Sequence, residues 1–200
     1  MDTDTKSSSR LGQAVAWGAG AGVVASIAMG LYAMLTTLWQ DRGFFTPLHH
    51  IATLFAEPTA MMESMMAAMS GEGSFQITAG TALLGLVIHM TGAAYGALFG
   101  VIVSRLKNLG AALITVAGLA WGFVAFAVSA FIGLPLAASI FGVEELAGDM
   151  AGMNPIADMP EMAGWFHPFI LEHLLFGLVL GALFAVRSPT VGVARGRVEG

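Results

Sequence analysis

The sequence predicts an all-α integral membrane protein with four transmembrane helices arranged as two hairpins. Hydrophobic residues make up 56% of the 200 residues and charged residues only 10%, and the mean hydropathy is +0.79. Soluble domains carry about 25% charged residues. The apolar residues also gather into four long runs, and a helix needs about 20 such residues to cross a bilayer. The lipid bilayer is therefore the first expected partner.

The polar segment MDTDTKSSSR predicts a disordered cytoplasmic tail over residues 1–10. The next run exceeds the roughly 7–15 apolar residues of a signal-peptide core, so it is expected to stay as a spanning helix. A four-span domain is predicted over residues 11–187, followed by a second cytoplasmic tail over 188–200. The predicted spans are 11–39, 76–104, 111–134 and 168–186.

The basic residues predict the orientation. Lys6 and Arg10 precede the first span, Arg105 and Lys107 lie between the second and third, and Arg187 follows the fourth. Because loops rich in Lys and Arg stay in the cytoplasm, both termini are expected there, with the chain in the cell (inner) membrane. The two longer, acidic loops then lie outside. The motif FFTPLHHIATLF in the first of them predicts a short interfacial or re-entrant helix. Its two histidines are expected to face lipid headgroups, and a position near the mouth of the buried cluster of His89, Glu172 and His173 is the alternative.

Glycines recur every four residues along the spans, as in helices that pack closely in lipid. The same faces predict contact with a membrane-complex partner or a second copy of the chain. The glycines are Gly18, Gly22 and Gly30 in the first span, where Ser26 completes the spacing, Gly92, Gly96 and Gly100 in the second, Gly118 and Gly122 in the third, and Gly177 and Gly181 in the fourth.

Two short similarities suggest an internal two-fold duplication. Pro-Leu follows the first and third spans, 88 residues apart, and Gly-Ala-Leu-Phe ends the second and fourth, 85 residues apart. Two copies of a two-span unit would produce this pattern. Chance similarity is the alternative, because Gly, Ala, Leu and Phe are abundant in the chain.

Three ionisable residues within the spans form the first candidate site. His89 is 16 residues from Arg105 and His173 is 14 residues from Arg187, which places the two rings about 24 Å and about 21 Å from the cytoplasmic edge. Glu172 lies at a similar height. Each histidine also shares a helix face with glycines, so both imidazoles are expected to point into the bundle.

Four interpretations of this cluster stay open. His89, Glu172 and His173 are a plausible ligand set for a transition metal. His89 and His173 alone fit the axial ligands of a haem b. The three residues also fit a proton path. The fourth interpretation is interhelical hydrogen bonding without further chemistry.

Methionines form the second candidate site. Nine of the 13 lie in the two predicted outer loops, and thioethers are ligands that select Cu(I). Packing of flexible side chains is the alternative explanation. The candidate copper ligands in the second loop are Met150, Met153, Met159 and Met162.

No phosphate-binding loop, catalytic triad or nucleophile elbow occurs, and the basic residues form no patch for nucleic acid. An enzyme is therefore less expected than an accessory subunit or a copper-handling module with an outward-facing His/Glu/Met site. A haem-binding redox protein or a proton- or ion-translocating protein that uses His89 and His173 is the alternative.

Overall fold

The structure is a computed structural model that describes residues 3–55, 59–72, 77–106, 109–142, 145, 151–154, 156–164 and 168–187. These residues form helices and connecting turns, without a strand among them. Four helical stretches are long and apolar enough to cross a membrane, namely Leu11–Trp39, Ala79–Arg105, Ala111–Phe141 and Ile170–Arg187. The prediction of an all-helical protein with four membrane-spanning helices is confirmed.

The described part of the chain contains eight α-helices and one π-helical turn. They are α1 (Thr3–Trp39), α2 (Thr46–Phe55), α3 (Ala60–Met69), α4 (Ala79–Arg105), α5 (Ala111–Val128), the π turn (Ser129–Gly133), α6 (Leu134–Phe141), α7 (Met159–Ala163) and α8 (Ile170–Arg187). The N-terminus differs from the prediction, because residues 3–10 extend α1 instead of forming a disordered tail. Extending an existing helix costs little, since nucleation is the unfavourable step. Residues 188–200 lie outside the described residues.

α1 ends in a turn that redirects the chain into α2. The Arg42 N–H donates to the Thr37 carbonyl at 2.9 Å, and the Asp41 N–H donates to the Leu38 carbonyl at 3.1 Å. Asp41 adopts the left-handed conformation with φ 56°. These two bonds around a left-handed residue are the Schellman arrangement that satisfies the last carbonyls of a helix.

The third span is longer than predicted. The predicted end is residue 134, yet the helix continues past Pro135 to Phe141. In the π turn before it, the Leu134 N–H bonds to the Ser129 carbonyl, five residues back. Pro135 thus occupies the first turn of α6, where a missing N–H is tolerated. Gly142, at φ 63°, then ends the helix.

The chain forms two compact units, and each is described by itself. Unit 1 takes its described residues from Met1–Ala28, His89–Val124 and His173–Gly200. Unit 2 takes its described residues from Met29–Ile88 and Ala125–Glu172.

In unit 1, α1 and α4 approach until their backbones touch. A Cβ added at Gly18 would lie within 3.0 Å of the Gly96 carbonyl oxygen, and one added at Gly22 would lie within 3.0 Å of the Gly92 oxygen. Rising residue numbers on α1 meet falling numbers on α4, so the helices run antiparallel. The predicted glycine face is a helix contact, and any larger residue would force the two backbones apart.

α5 and α8 make a second antiparallel contact of the same kind in unit 1. A Cβ at Gly118 would lie within 3.0 Å of the Gly177 oxygen, and one at Gly122 would lie within 3.0 Å of the His173 oxygen. Both pairs of helices therefore use glycines four residues apart on each partner, as expected for close packing in lipid.

Aromatic side chains connect the two pairs of helices in unit 1. The Phe99 ring lies 6.2 Å from the Trp121 ring and 5.3 Å from the Phe184 ring, measured between centroids. Trp121 also donates its indole N–H to the Tyr95 carbonyl at 3.2 Å. α4 is thereby joined to both α5 and α8.

The core of unit 2 is apolar and gathers residues that are distant in sequence. Phe126 and Ala130 come from the third span, Phe169 comes from the residues that precede α8, and Ile156 and Met159 come from the connection between the third and fourth spans. The fully buried Ile156 is at 0% exposure. The connection between the third and fourth spans is therefore packed into unit 2 through these side chains.

Gly22→Ala is expected to lower the free energy of unfolding by about 1–3 kcal/mol, because the new methyl group overpacks a backbone contact. Gly20→Ala is the matched control, since a Cβ there meets nothing within 4 Å and Ala is the better helix former by about 1 kcal/mol. Denaturation of the purified protein in mixed micelles measures both. Equal stabilities of the two variants would contradict the glycine contact.

Candidate functional site

Most of the side chains that α2 buries are polar, the exception being Ala52. Thr46, His49, His50 and Thr53 are buried, with the two histidines at 6% and 8% exposure. Their spacing of i, i+3, i+4 and i+7 puts them on one side of the helix. The apolar Phe44, Phe45, Leu48 and Ile51 around them are only half-buried. The helix therefore directs its polar side chains inward, the reverse of a soluble surface helix.

This arrangement corrects the predicted position of the two histidines. His49 and His50 were expected to face lipid headgroups, and both are buried instead. The physical reason is that α2 packs against α3 and α6 within unit 2, so its polar stripe is covered by protein. The stripe itself was visible in the sequence, but the sequence did not show which side of α2 would be covered.

The threonine hydroxyl groups of this region donate to backbone carbonyls four residues earlier in the chain. Thr53 donates to the His49 carbonyl at 3.1 Å, and Thr36 donates to the Tyr32 carbonyl at 2.9 Å. Thr46 donates to the Arg42 carbonyl, and its oxygen lies 3.1 Å from the Ser64 hydroxyl oxygen of α3. Each threonine is thus satisfied locally. The groups on α2 that can change charge are the two imidazoles.

Glu172 and His173 lie in the first turn of α8, and both are buried. Glu172 belongs to unit 2 and His173 to unit 1. His173 takes part in the glycine contact through its carbonyl oxygen, which faces Gly122. His173 is four residues before Gly177, so both residues lie on the face of α8 that meets α5.

His89 lies on α4 in unit 1 and is half-buried. The prediction relied on glycine faces to bring His89 and His173 together, but the two faces meet different helices. Gly92 and Gly96 contact α1, whereas Gly177 contacts α5. Both faces are filled by the neighbouring backbone, so these glycines do not form the open pocket that a haem b needs. Haem ligation by His89 and His173 stays a prediction.

Within the described ranges, no group of three or more His, Cys, Asp or Glu side chains could hold a metal ion. His89, Glu172 and His173 as a metal-binding set therefore stay a prediction without structural support.

The predicted Cu(I) ligands of the second loop fall into different surroundings. Met159 is buried in the apolar core of unit 2 with Phe126, Ile156 and Phe169, and Met153 is half-buried. Met150 and the side chain of Met162 lie outside what the structure describes. The position of Met159 agrees with the packing alternative, because its side chain fills a core site.

Known proteins supply no further assignment, since no family model, no curated protein and no solved structure matches the chain.

Met159→Ala is expected to lower the free energy of unfolding by about 2 kcal/mol or more, as for other large core side chains. Met69→Ala is the control, because Met69 on α3 is 81% exposed and its loss should change stability by no more than about 0.5 kcal/mol. Thermal unfolding in detergent measures the difference. If Met159→Ala is as stable as Met69→Ala, the side chain does not stabilise the core.

Proposed function

We propose that this chain is a proton-linked membrane protein whose unit 2 holds a buried ionisable site of His49, His50 and Glu172. The observation that carries the proposal is the inward-facing polar stripe of α2. α2 is a short helix that buries two imidazoles in a protein whose spans are otherwise apolar. Apolar side chains would be buried there at a lower cost in free energy.

His49, His50 and Glu172 all belong to unit 2. Ile51 of α2 packs on the apolar cluster that contains Phe169, and Glu172 lies three residues, or nearly one helical turn, after Phe169. α2 and the residues that lead into α8 are therefore attached to the same apolar cluster.

The chemistry of the residue types favours a proton over other cargo. Imidazole is the side chain that most readily exchanges protons near neutral pH. Buried ionisable groups within membrane bundles are typical of proton relays. Interhelical hydrogen bonding alone would contribute about 0.6–2 kcal/mol per contact, and neutral amide side chains would provide such bonds equally well.

The distribution of Lys and Arg supports an orientation with both termini in the cytoplasm and the chain in the cell membrane. With that orientation, the connections between the first and second spans and between the third and fourth lie outside. The site would then receive protons from the outer side.

Internal duplication is part of the proposal. Gly22 lies against the Gly92 carbonyl oxygen as Gly118 lies against the Gly177 carbonyl oxygen. The glycines of α4 and α8 are 85 residues apart, the same separation as the repeated Gly-Ala-Leu-Phe motif. These equivalences support two copies of a two-helix hairpin. Copper handling and an accessory role in a larger complex or homo-oligomer stay predictions.

Glu172→Gln is expected to abolish proton uptake by proteoliposomes, because glutamine keeps the shape but cannot exchange a proton. The measurement uses an entrapped pH-sensitive dye and a potassium diffusion potential as the driving force. His50→Gln should slow uptake by about tenfold or more, a typical contribution of one proton-transfer group being about 10²–10⁴-fold.

Glu161→Gln is the matched control for this experiment, since Glu161 belongs to the same unit but is exposed, and its uptake should equal that of the wild type. If vesicles that contain the wild-type protein take up protons no faster than empty vesicles, the proposed function is overturned.

The orientation is tested separately with single cysteines, because the chain contains none. Gly152→Cys, in the connection between the third and fourth spans, should react with a membrane-impermeant thiol reagent in intact cells. Gly110→Cys, between the second and third spans, should react only after the cells are opened. The reverse pattern would place both termini outside.

A further inference from the structure

A charged side chain lies over an aromatic ring at one end of unit 1. The guanidinium carbon of Arg187, in the last turn of α8, is 4.5 Å from the centroid of the Trp17 ring of α1. Both side chains are exposed. A cation over the face of a Trp ring is attracted by the negative charge of that face. The contact therefore holds a positive charge at a defined place on the surface of unit 1.

The helices that carry this pair touch close to it. A Cβ added at Gly100 of α4 would contact the Ala14 carbonyl oxygen of α1 and would lie 3.2 Å from the Cζ atom of Phe184 on α8. Trp17 follows Ala14 by three residues, and Arg187 follows Phe184 by three residues. α1, α4 and α8 thus meet within one helical turn of each member of the pair, and this contact fixes the backbones from which the two side chains project.

The depth of Trp17 places the charge near the lipid headgroups. The first span, Leu11–Trp39, has 29 residues, which is about 43 Å of helix. The hydrocarbon core of a bilayer is about 30 Å thick, so about 6 Å at each end of a centred span lies among the headgroups. Trp17 is six residues, or about 9 Å, from the start of the span. The Arg187 guanidinium therefore lies beside a ring at the boundary between headgroups and acyl chains.

The composition of unit 1 favours an anion from outside the chain. Within residues 10–187, unit 1 contains several basic residues but no Asp or Glu. A guanidinium over a ring keeps its N–H donors, because they lie in its own plane, and their fork geometry matches a phosphate. Val24 is exposed and lies two turns after Trp17 on the same side of α1. A phosphate that carries acyl chains is complementary to both features.

We propose that Arg187 and Trp17 bind the phosphate group of an anionic phospholipid, with an acyl chain lying along α1 past Val24. A zwitterionic headgroup carries its own cation, which the basic residues at this end repel, so the site selects lipids by charge. This lipid site belongs to unit 1, whereas the residues of the proposed proton site belong to unit 2.

The test uses the purified full chain in a neutral detergent, titrated with phosphatidylglycerol and followed by native mass spectrometry. Phosphatidylcholine with the same acyl chains should bind more weakly. Arg187→Gln should raise the dissociation constant for phosphatidylglycerol by about tenfold or more, because hydrogen bonds to a charged group are lost. This variant should also bind the two lipids equally. Unchanged binding of phosphatidylglycerol by Arg187→Gln, or equal binding of both lipids by the wild type, would overturn the proposal.

Arg105→Gln is the matched control. Arg105 is exposed in the last turn of α4, in the same unit, and it stacks on no aromatic ring among the described residues. Its replacement should change the dissociation constant by no more than about twofold, since salt screens exposed charges. If Arg105→Gln loses as much affinity as Arg187→Gln, the lipid is held by general charge attraction and the proposed site is wrong.

A double-mutant cycle tests whether the two side chains act together. Trp17→Leu should weaken binding by about threefold, which corresponds to an exposed cation–π contact, and it should have no further effect in the Arg187→Gln protein. Additive effects of the two changes would contradict the paired site. Inorganic phosphate in large excess should not displace the lipid, because it has no acyl chains. Displacement would identify free phosphate as the ligand and overturn the choice of a lipid.

Discussion

Contact between helix backbones at glycine is the constraint on which the described structure of unit 1 depends. In lipid, the hydrophobic effect contributes little to helix association, so the helices must gain their stability from close packing. Glycine removes the side chain that would hold two backbones apart. In unit 1 this occurs twice, between α1 and α4 and between α5 and α8. The larger side chains, among them Phe99 and Trp121, then join the pairs.

The core of unit 2 differs from the glycine contacts of unit 1. It combines an apolar cluster around Phe126 and Ile156 with the polar stripe of α2. The Thr36 and Thr53 hydroxyls donate to carbonyls of their own helices, and the two imidazoles and Glu172 are also buried. Lipid surrounds the exterior of a membrane protein and favours apolar side chains there. Polar side chains such as the α2 imidazoles are therefore directed inward. The half-buried Leu48 on α2 is consistent with an apolar exterior.

The four spans and the glycine contacts could be predicted from the sequence because both depend on local pattern. Long apolar runs identify spans whatever their neighbours are, and the predicted ends agree with the structure within three residues except at Phe141. The third span ends later than predicted because a proline is tolerated when it falls in the first turn after a π turn. The burial of His49 and His50, and of Met159, depends on which elements cover them. That is tertiary information, and residue spacing does not contain it.

The π turn in the third span has a consequence for the phase of the helix. Each residue advances an α-helix by about 100°, so Phe126 and Ala138, twelve residues apart, would diverge by about 120° on a regular helix. The wide turn absorbs roughly one extra residue and rewinds α6 by about 100°, which returns Ala138 to the azimuth of Phe126 and Ala130 in the core. Deleting one residue from Ser129–Gly133 would straighten the helix and turn the buried side of α6 toward lipid. The irregular segment thus sets the rotational register between the two parts of one span.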